Sequence, residues 1–341
     1  MTGAGPSTAG GDSRPWIEKY RPKSLDDVAA HADIVSTIRK LMQEDRLPHL
    51  LFYGPPGTGK TSTILAVARE MYGTSLSNMT LELNASDDRG INVVRQEVQE
   101  FASTRRIFSS GFKLVILDEC DAMTKDAQFA LRRIIEKYTR NTRFCLICNY
   151  ASKIIPALQS RCTRFRFAPL PREAVVDRLQ HIVDAEGVQI DGPGKEAVIR
   201  LGAGDMRRTL NILQSAHMAA GAMPGMPANV TEASVYSCTG SPLPEDIDAV
   251  ARLLLNEPLA HCMAAVKRAQ LDKGLALPDL LRELHPFVMR INMGAEAQAD
   301  LVEAMADIEH RLAFGTSEQL QLGALVDAFV RARGTIHAAA A

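Results

Sequence analysis

The run Gly54-Pro55-Pro56-Gly57-Thr58-Gly59-Lys60-Thr61 constrains this chain more than any other feature, because it fits G-x-x-x-x-G-K-[ST] at every defined position. The apolar Leu50-Leu51-Phe52-Tyr53 precedes it and a helical pattern over Thr61–Tyr72 follows, which is the strand–loop–helix setting the motif needs. Glycines there let backbone N–H groups close around phosphate oxygens, and the helix N-terminus adds positive potential. In that geometry Lys60 reaches the β- and γ-phosphates of a nucleotide, and the Thr61 hydroxyl ligates Mg2+. Short apolar runs at Thr80–Asn84, Lys113–Leu117 and Arg143–Cys148 alternate with helical spacing at Val93–Thr104 and Lys125–Tyr138. The alternation predicts an α/β P-loop domain, a parallel sheet with helices on both faces.

Asp118-Glu119 closes the run Leu114–Leu117, so a strand delivers two carboxylates downstream of the phosphate loop. Asp118 is suited to bind Mg2+ and Glu119 to act as general base on an attacking water. Asp118-Glu119-Cys120-Asp121 also matches the DExD box of nucleic-acid helicases. Those enzymes need a second nucleotide-contacting α/β lobe, whereas the second half of this chain reads as helical. Three further residues are open to two readings each. Asn149, after the strand ending at Cys148, either contacts the γ-phosphate or its water, or is an ordinary turn residue. Arg161 is either a guanidinium offered in trans to a phosphoryl group or one of a surface set with Arg164 and Arg166. Arg207, in Gly204-Asp205-Met206-Arg207-Arg208 at the head of a helix, either reaches back to the nucleotide or forms a salt bridge within its helix.

The strand pattern stops around Pro169-Leu170-Pro171; helical stretches run on to about Met218, and Gly221–Asn229 reads as a loop. Beyond it, Leu301, Met305, Ile308 and Leu312 share one helix face, as do Leu322, Leu325 and Phe329. Gly315 and Gly334 sit where helices are expected to stop, and His285-Pro286 marks a kink or boundary. At 46% hydrophobic and 23% charged, general disorder is excluded. No run approaches the length a membrane-spanning helix needs, and the N-terminal MTGAGPSTAGGDS reads as a flexible tail without a signal peptide's apolar stretch. Six cysteines in a chain of 341 residues fit a reducing, intracellular compartment. Cys145 and Cys148 have metal or redox spacing, but three apart on a strand they point to opposite faces. The eight histidines have no zinc-site spacing. Charge is uneven: residues 101–170 hold 13 Lys and Arg against 5 Asp and Glu. Such a block suits a phosphate-bearing partner or a solvated basic face.

Trp16-Ile17-Glu18-Lys19-Tyr20-Arg21-Pro22, the phosphate loop, Asn84-Ala85-Ser86-Asp87-Asp88-Arg89-Gly90, Asp118–Asp121, Ser160-Arg161-Cys162 and Gly204–Arg208 occur in that order. Together they resemble the small subunits of replication factor C, the eukaryotic sliding-clamp loader of the AAA+ superfamily. Phe144–Tyr150 and Lys153–Phe167 are most similar to one branch of that family, numbered 5 in animals and 3 in yeast and plants. The resemblance implies an AAA+ ATPase domain over 15–170 after a flexible tail at 1–14, a small helical lid at 171–238, and an all-α collar domain at 239–341. It implies a nuclear protein that uses ATP and Mg2+ within a heteropentameric ring, beside four other clamp-loader subunits, to load the sliding clamp onto primer–template DNA. It places Tyr20, Arg21 and Pro22 near the adenine, Asn149 at the sensor-1 position and Arg207 at the sensor-2 position. Arg161 becomes the finger for the neighbouring subunit's ATP site. Arg89, Arg95 and Lys153 match positions that line the DNA path, and Ile107 and Phe108 match the segment that meets the clamp. A mainly structural subunit, binding ATP with dispensable hydrolysis, is the alternative within the family. A protein unfoldase is disfavoured, since Asn84–Asn92 holds no aromatic residue for a pore loop. Cys120 stands where most family members have Ala, and a thiol there is oxidisable only where solvent reaches it.

Overall fold

The elements of the first part of the chain are, in order, α1 (Trp16–Lys19), α2 (Ala32–Gln43), β1 (Leu50–Tyr53), α3 (Lys60–Tyr72), α4 (Leu76–Met79), β2 (Thr80–Asn84), α5 (Ile91–Ser103), β3 (Lys113–Asp118), α6 (Lys125–Tyr138), β4 (Thr142–Cys148), α7 (Pro156–Gln159) and β5 (Thr163–Arg166). The computed structural model describes residues 14–28, 30–86, 91–104, 111–221, 229–291 and 293–340, side chains excepted at 91–95 and 335–340. All five strands are parallel, in the order β2-β3-β4-β1-β5. Because both faces of the sheet are covered, the central strands are continuous apolar runs: Leu114 to Leu117 and Phe144 to Cys148 are all buried.

Strand alternation sorts their side chains into two cores. Leu50, Phe52, Leu114, Ile116, Cys145 and Ile147 pack with Val35 and Ile38 of α2 and Ile64 and Val67 of α3. Leu51, Val115, Leu117, Phe144, Leu146 and Cys148 pack with Leu131, Ile134 and Ile135 of α6. Cys145 and Cys148 thus lie in different layers, and no metal-ligating cluster exists among the described residues. In a parallel sheet all strands end on one edge, so the loops after β1, β3 and β4 gather there.

Three helices follow: α8 (Arg172–Glu186), α9 (Gly192–Gly202) and α10 (Met206–Gly221). The chain divides into two compact units, residues 1–229 and 230–341. The second consists, among the described residues, of α11 (Glu232–Thr239), α12 (Pro244–Asn256), α13 (Leu259–Lys273), α14 (Leu277–Arg290), α15 (Ala295–Ala313) and α16 (Glu318–Ala340). Its own core includes Leu254, Val266, Leu284, Leu301, Met305, Ile308, Leu325 and Phe329. Gly315 follows the end of α15 in the left-handed conformation, as expected. Gly334 instead lies inside α16, and Pro286 lies inside α14 rather than at its end. A glycine costs a helix interior only about 1 kcal/mol, which tertiary packing overrides.

Candidate nucleotide-binding site

The phosphate loop leaves β1 with a backbone that only glycine tolerates at two points. Gly54 has φ +146°, and a Cβ there would lie 2.0 Å from the Phe167 carbonyl oxygen. Gly57 has φ +67°, and its Cβ would lie 1.6 Å from Asp205 Oδ1. Asp205 accepts from the Arg208 N–H at 3.0 Å, capping α10, and the Met206 N–H donates to the Gly57 carbonyl at 3.2 Å. The head of α10 therefore rests on the phosphate loop.

Lys60 opens α3 and is only 7% exposed. Its Nζ donates to the carbonyls of Gly54 and Pro55 at 2.7 and 2.8 Å, and to Asn149 Oδ1 at 3.2 Å. Burial pushes its pKa down, opposed by the Asp118 carboxylate. Thr61 Oγ1 donates to Asp118 Oδ2 at 2.6 Å. A hydroxyl and a carboxylate oxygen, the hard donors Mg2+ prefers, thus meet beside the phosphate loop, and the residues present fit that ion. Asp118 Oδ1 accepts from the Glu119 N–H at 2.8 Å. Glu119 itself is left-handed, φ 55°, a conformation that costs a non-glycine residue roughly 1–2 kcal/mol. Asp118 and Glu119 both line one cavity.

That cavity also receives Tyr20, Arg21 and Pro22, Pro56 to Thr61, Asn149, and Arg207 from the first turn of α10. It is a concave site lined by the phosphate loop, the cations Lys60 and Arg207 and the carboxylates Asp118 and Glu119, a set that suits a magnesium nucleotide. Gly54 and Pro55 are not among its lining residues; their carbonyls hold Lys60.

The family model for the ATPase family associated with various cellular activities (AAA) matches residues 50–170, and the Replication factor C C-terminal domain matches 242–328. The chain is 57% identical to replication factor C subunit 3 of Oryza sativa, an alignment covering 98% of this chain and 91% of that protein. It is 56% identical to replication factor C subunit 5 of Homo sapiens, covering 96% and 94%. It belongs to the replication factor C family.

A replication factor C subunit is an ATPase-type protein of a multi-subunit clamp-loader complex, and its α/β part has the AAA fold. The fold likeness extends to the Thermotoga maritima RuvB Holliday junction branch migration motor, with a TM-score of 0.51, 15% identity, and coverage of 77% of this chain and 91% of that one. Not every replication factor C position expected from the sequence lies at the cavity. Arg161 is not among its lining residues. It sits just past α7, half-buried, with Nη2 2.5 Å from Glu136 Oε1 and Nη1 donating to the Ala157 carbonyl at 2.7 Å. Lys153 is exposed, its Nζ 5.2 Å from the centre of the Tyr150 ring. Arg89, Ile107 and Phe108 lie outside the described residues, as does the Arg95 side chain on α5.

Four residues that the sequence does not single out complete the site. Asp121 Oδ2 accepts from the N–H groups of Asn149 and Tyr150 at 3.2 and 3.3 Å, tying the acidic turn to the end of β4. Gln128, buried in α6, donates to the carbonyls of Met123 and Lys153 and accepts from the Ile155 N–H at 2.8 Å. Arg178 of α8 and Asp27 line the cavity. Asp121 is the last acid of the DExD run, so its place was visible but its partner was not. Gln128 carries no signal in the sequence, since pattern alone cannot show which neighbours lack partners.

Proposed function

We propose that this chain is an ATP-hydrolysing subunit of a heteropentameric clamp loader that opens the sliding clamp and loads it onto primer–template DNA in the nucleus during replication and repair. The observation that carries the reading is the convergence at one cavity of Lys60 with Asn149 and of Thr61 with Asp118, with Glu119 and Arg207 on the walls. Lys60 exchanges its loop carbonyls for β- and γ-phosphate oxygens. Thr61 and Asp118 would hold Mg2+, which would supply positive charge to neutralise the phosphates. Glu119 accepts a proton from water as the water oxygen bonds to the γ-phosphorus and the bond from that phosphorus to the β,γ-bridging oxygen breaks, releasing ADP and phosphate, with Asn149 orienting that water. Arg207 stabilises charge from the same chain, while Arg161, held away from this cavity, serves the neighbouring subunit in trans.

Tyr20, Arg21 and Pro22 flank the adenine. Arg89, Arg95 and Lys153 contact the DNA backbone by charge, without sequence preference, and Ile107 and Phe108 anchor the clamp. We take 1–14 as a tail, 15–170 as the ATPase domain, 171–238 as the lid and 239–341 as the collar that joins four other subunits. The test is Lys60→Ala in the reconstituted complex, with nucleotide binding and clamp loading measured together. Loss of binding at this subunit with loading at least about tenfold slower is expected, since the lysine stabilises transferring phosphate. Unimpaired loading would reduce the chain to a scaffold with dispensable hydrolysis.

A further inference from the structure

Glu186, at the C-terminal end of α8, does not line the cavity, yet it holds Tyr20, which does, together with Lys19 beside it. Its Oε1 accepts from Lys19 Nζ and from Tyr20 Oη, both at 2.6 Å, with the carboxylate side chain only 16% exposed. Two further bonds attach the same segment to the helices after the α/β domain. Arg178 Nη2 donates to the Tyr20 carbonyl at 2.8 Å, and the Trp16 N–H donates to Gln214 Oε1 of α10 at 3.1 Å. The Trp16 ring also lies 5.7 Å from that of His217. Just past Tyr20 the attachment changes sides: Arg69 of α3 donates to the Pro22 carbonyl at 3.3 Å.

Lys19 and Tyr20 are long side chains that lose rotamer freedom when held, so a group that fixes both must bond them strongly. A single carboxylate oxygen receiving two charge-assisted bonds does so. Burial alone would raise the Glu186 carboxyl, but the bonds from Lys19 and Tyr20 outweigh it and hold the group below its ordinary value, ionised at neutral pH. Burial and the same carboxylate raise the Tyr20 phenol, which stays protonated and donates.

We propose that Glu186 is the positioning residue for the nucleotide base: it fixes Tyr20 through the bonds to Lys19 and Tyr20, and so sets the base-dependent share of ATP affinity. The proposal rests on the reading that Tyr20, Arg21 and Pro22 flank the adenine. It separates two halves of the ligand, with the phosphates held by the loop of β1 and the base held by a wall hung from α8.

The measurement is calorimetric titration of the isolated full-length chain, in Mg2+, with ATP and with inorganic tripolyphosphate, which carries the phosphates without the base. Glu186→Ala is expected to weaken ATP about tenfold, the scale of one lost bond to a charged group, and to leave tripolyphosphate affinity within about twofold. Glu186→Gln, which keeps an acceptor oxygen, is expected to recover most of the loss. Unchanged ATP affinity in Glu186→Ala, or an equal loss for both ligands, would overturn the proposal. Lys60→Ala tests the underlying site separately: it is expected to weaken both ligands. Should it weaken neither, the phosphates lie elsewhere and the base proposal falls with the site.

Discussion

At the scale of single residues, Cys120 shows how placement disarms a reactive group. It stands between Glu119 and Asp121, yet it is 1% exposed, and its thiol donates to the Leu117 carbonyl at 3.1 Å. Burial pushes its pKa far above the ordinary thiol value, so almost no thiolate forms. Brief alkylation of the folded chain is therefore expected to label Cys238, which is exposed, and to spare Cys120, Cys145 and Cys148. Peptide mass spectrometry reads the result; labelling of Cys120 as fast as Cys238 would show the pocket to be open. The sequence identified Cys120 as a departure from its relatives but held no sign of its burial, because exposure depends on α6 closing over the sheet. The phosphate loop was fully legible by contrast, since its chemistry is local: backbone amides, one lysine and one hydroxyl within eight consecutive positions. Asp121, Gln128 and Glu186 act on partners 28, 27 and 166 positions away, and no spacing rule reaches that far.

At the scale of elements, the central strands and the helices between them followed from apolar runs and helical spacing, with ends shifted by a residue or two. β5 was missed for a physical reason. It is an edge strand of four residues in which Thr163, Arg164 and Arg166 face solvent, so it carries no apolar run. Its neighbour β1 is joined to β4 by an unusual side-chain tie. His49, just before β1, accepts the Phe144 N–H on Nδ1 at 3.2 Å and donates Nε2–H to Thr139 Oγ1, whose own proton goes to the Ile135 carbonyl. The neutral ring is fully partnered, and burial, helped by the Arg143 guanidinium, pushes it down from 6.5 to about 4. The unfolded chain therefore takes up a proton between about pH 6.5 and 4 that the folded chain refuses. That group's stabilisation is complete above pH 6.5 and falls by on the order of 3 kcal/mol as pH drops through this window. Urea melts at pH 7 and pH 5 check it: His49→Asn, which keeps an acceptor near Nδ1, is expected to shrink the difference between the two.

Helix α6 has a second role at this scale, since it carries Glu136, which holds both Arg161 and Arg132 at its surface. A guanidinium held on one edge keeps other N–H groups free for a phosphate. Arg161→Ala is expected to leave nucleotide binding by the isolated chain unchanged and to cut hydrolysis by the assembled complex at least about tenfold, the lower range for a finger being larger still. A fall in ATP affinity of the isolated chain would place the arginine in its own site instead.

At the scale of the whole molecule, the two compact units have separate hydrophobic cores, and each reads differently from sequence. The first is set by motifs, the second by helix faces alone, which is why the sequence located Leu301, Met305 and Ile308 correctly yet set a helix end at Gly334, which lies inside α16. Residues 230–341 bury a continuous core that includes Leu284, Val288 and Phe329, all at 0% exposure. That fragment is expected to fold alone, with a cooperative helical melt followed by circular dichroism, and Leu284→Ala should destabilise it by about 2–5 kcal/mol. A broad, non-cooperative melt would mean that the core needs the rest of the chain. No described helix is long and apolar enough to cross a membrane.

The two anchorages on either side of Arg21 set a mechanical limit. Tyr20 is tied to α8 and Pro22 to α3, and two residues of fully extended chain span only about 7 Å. Helices α8 and α10 are therefore on a short leash relative to the sheet. Any separation from the sheet wider than that span must break the bonds that hold Tyr20 to Glu186 and Arg178, or the one from Arg69 to Pro22. The length of three residues thus sets how far those helices can part from the sheet with these bonds intact.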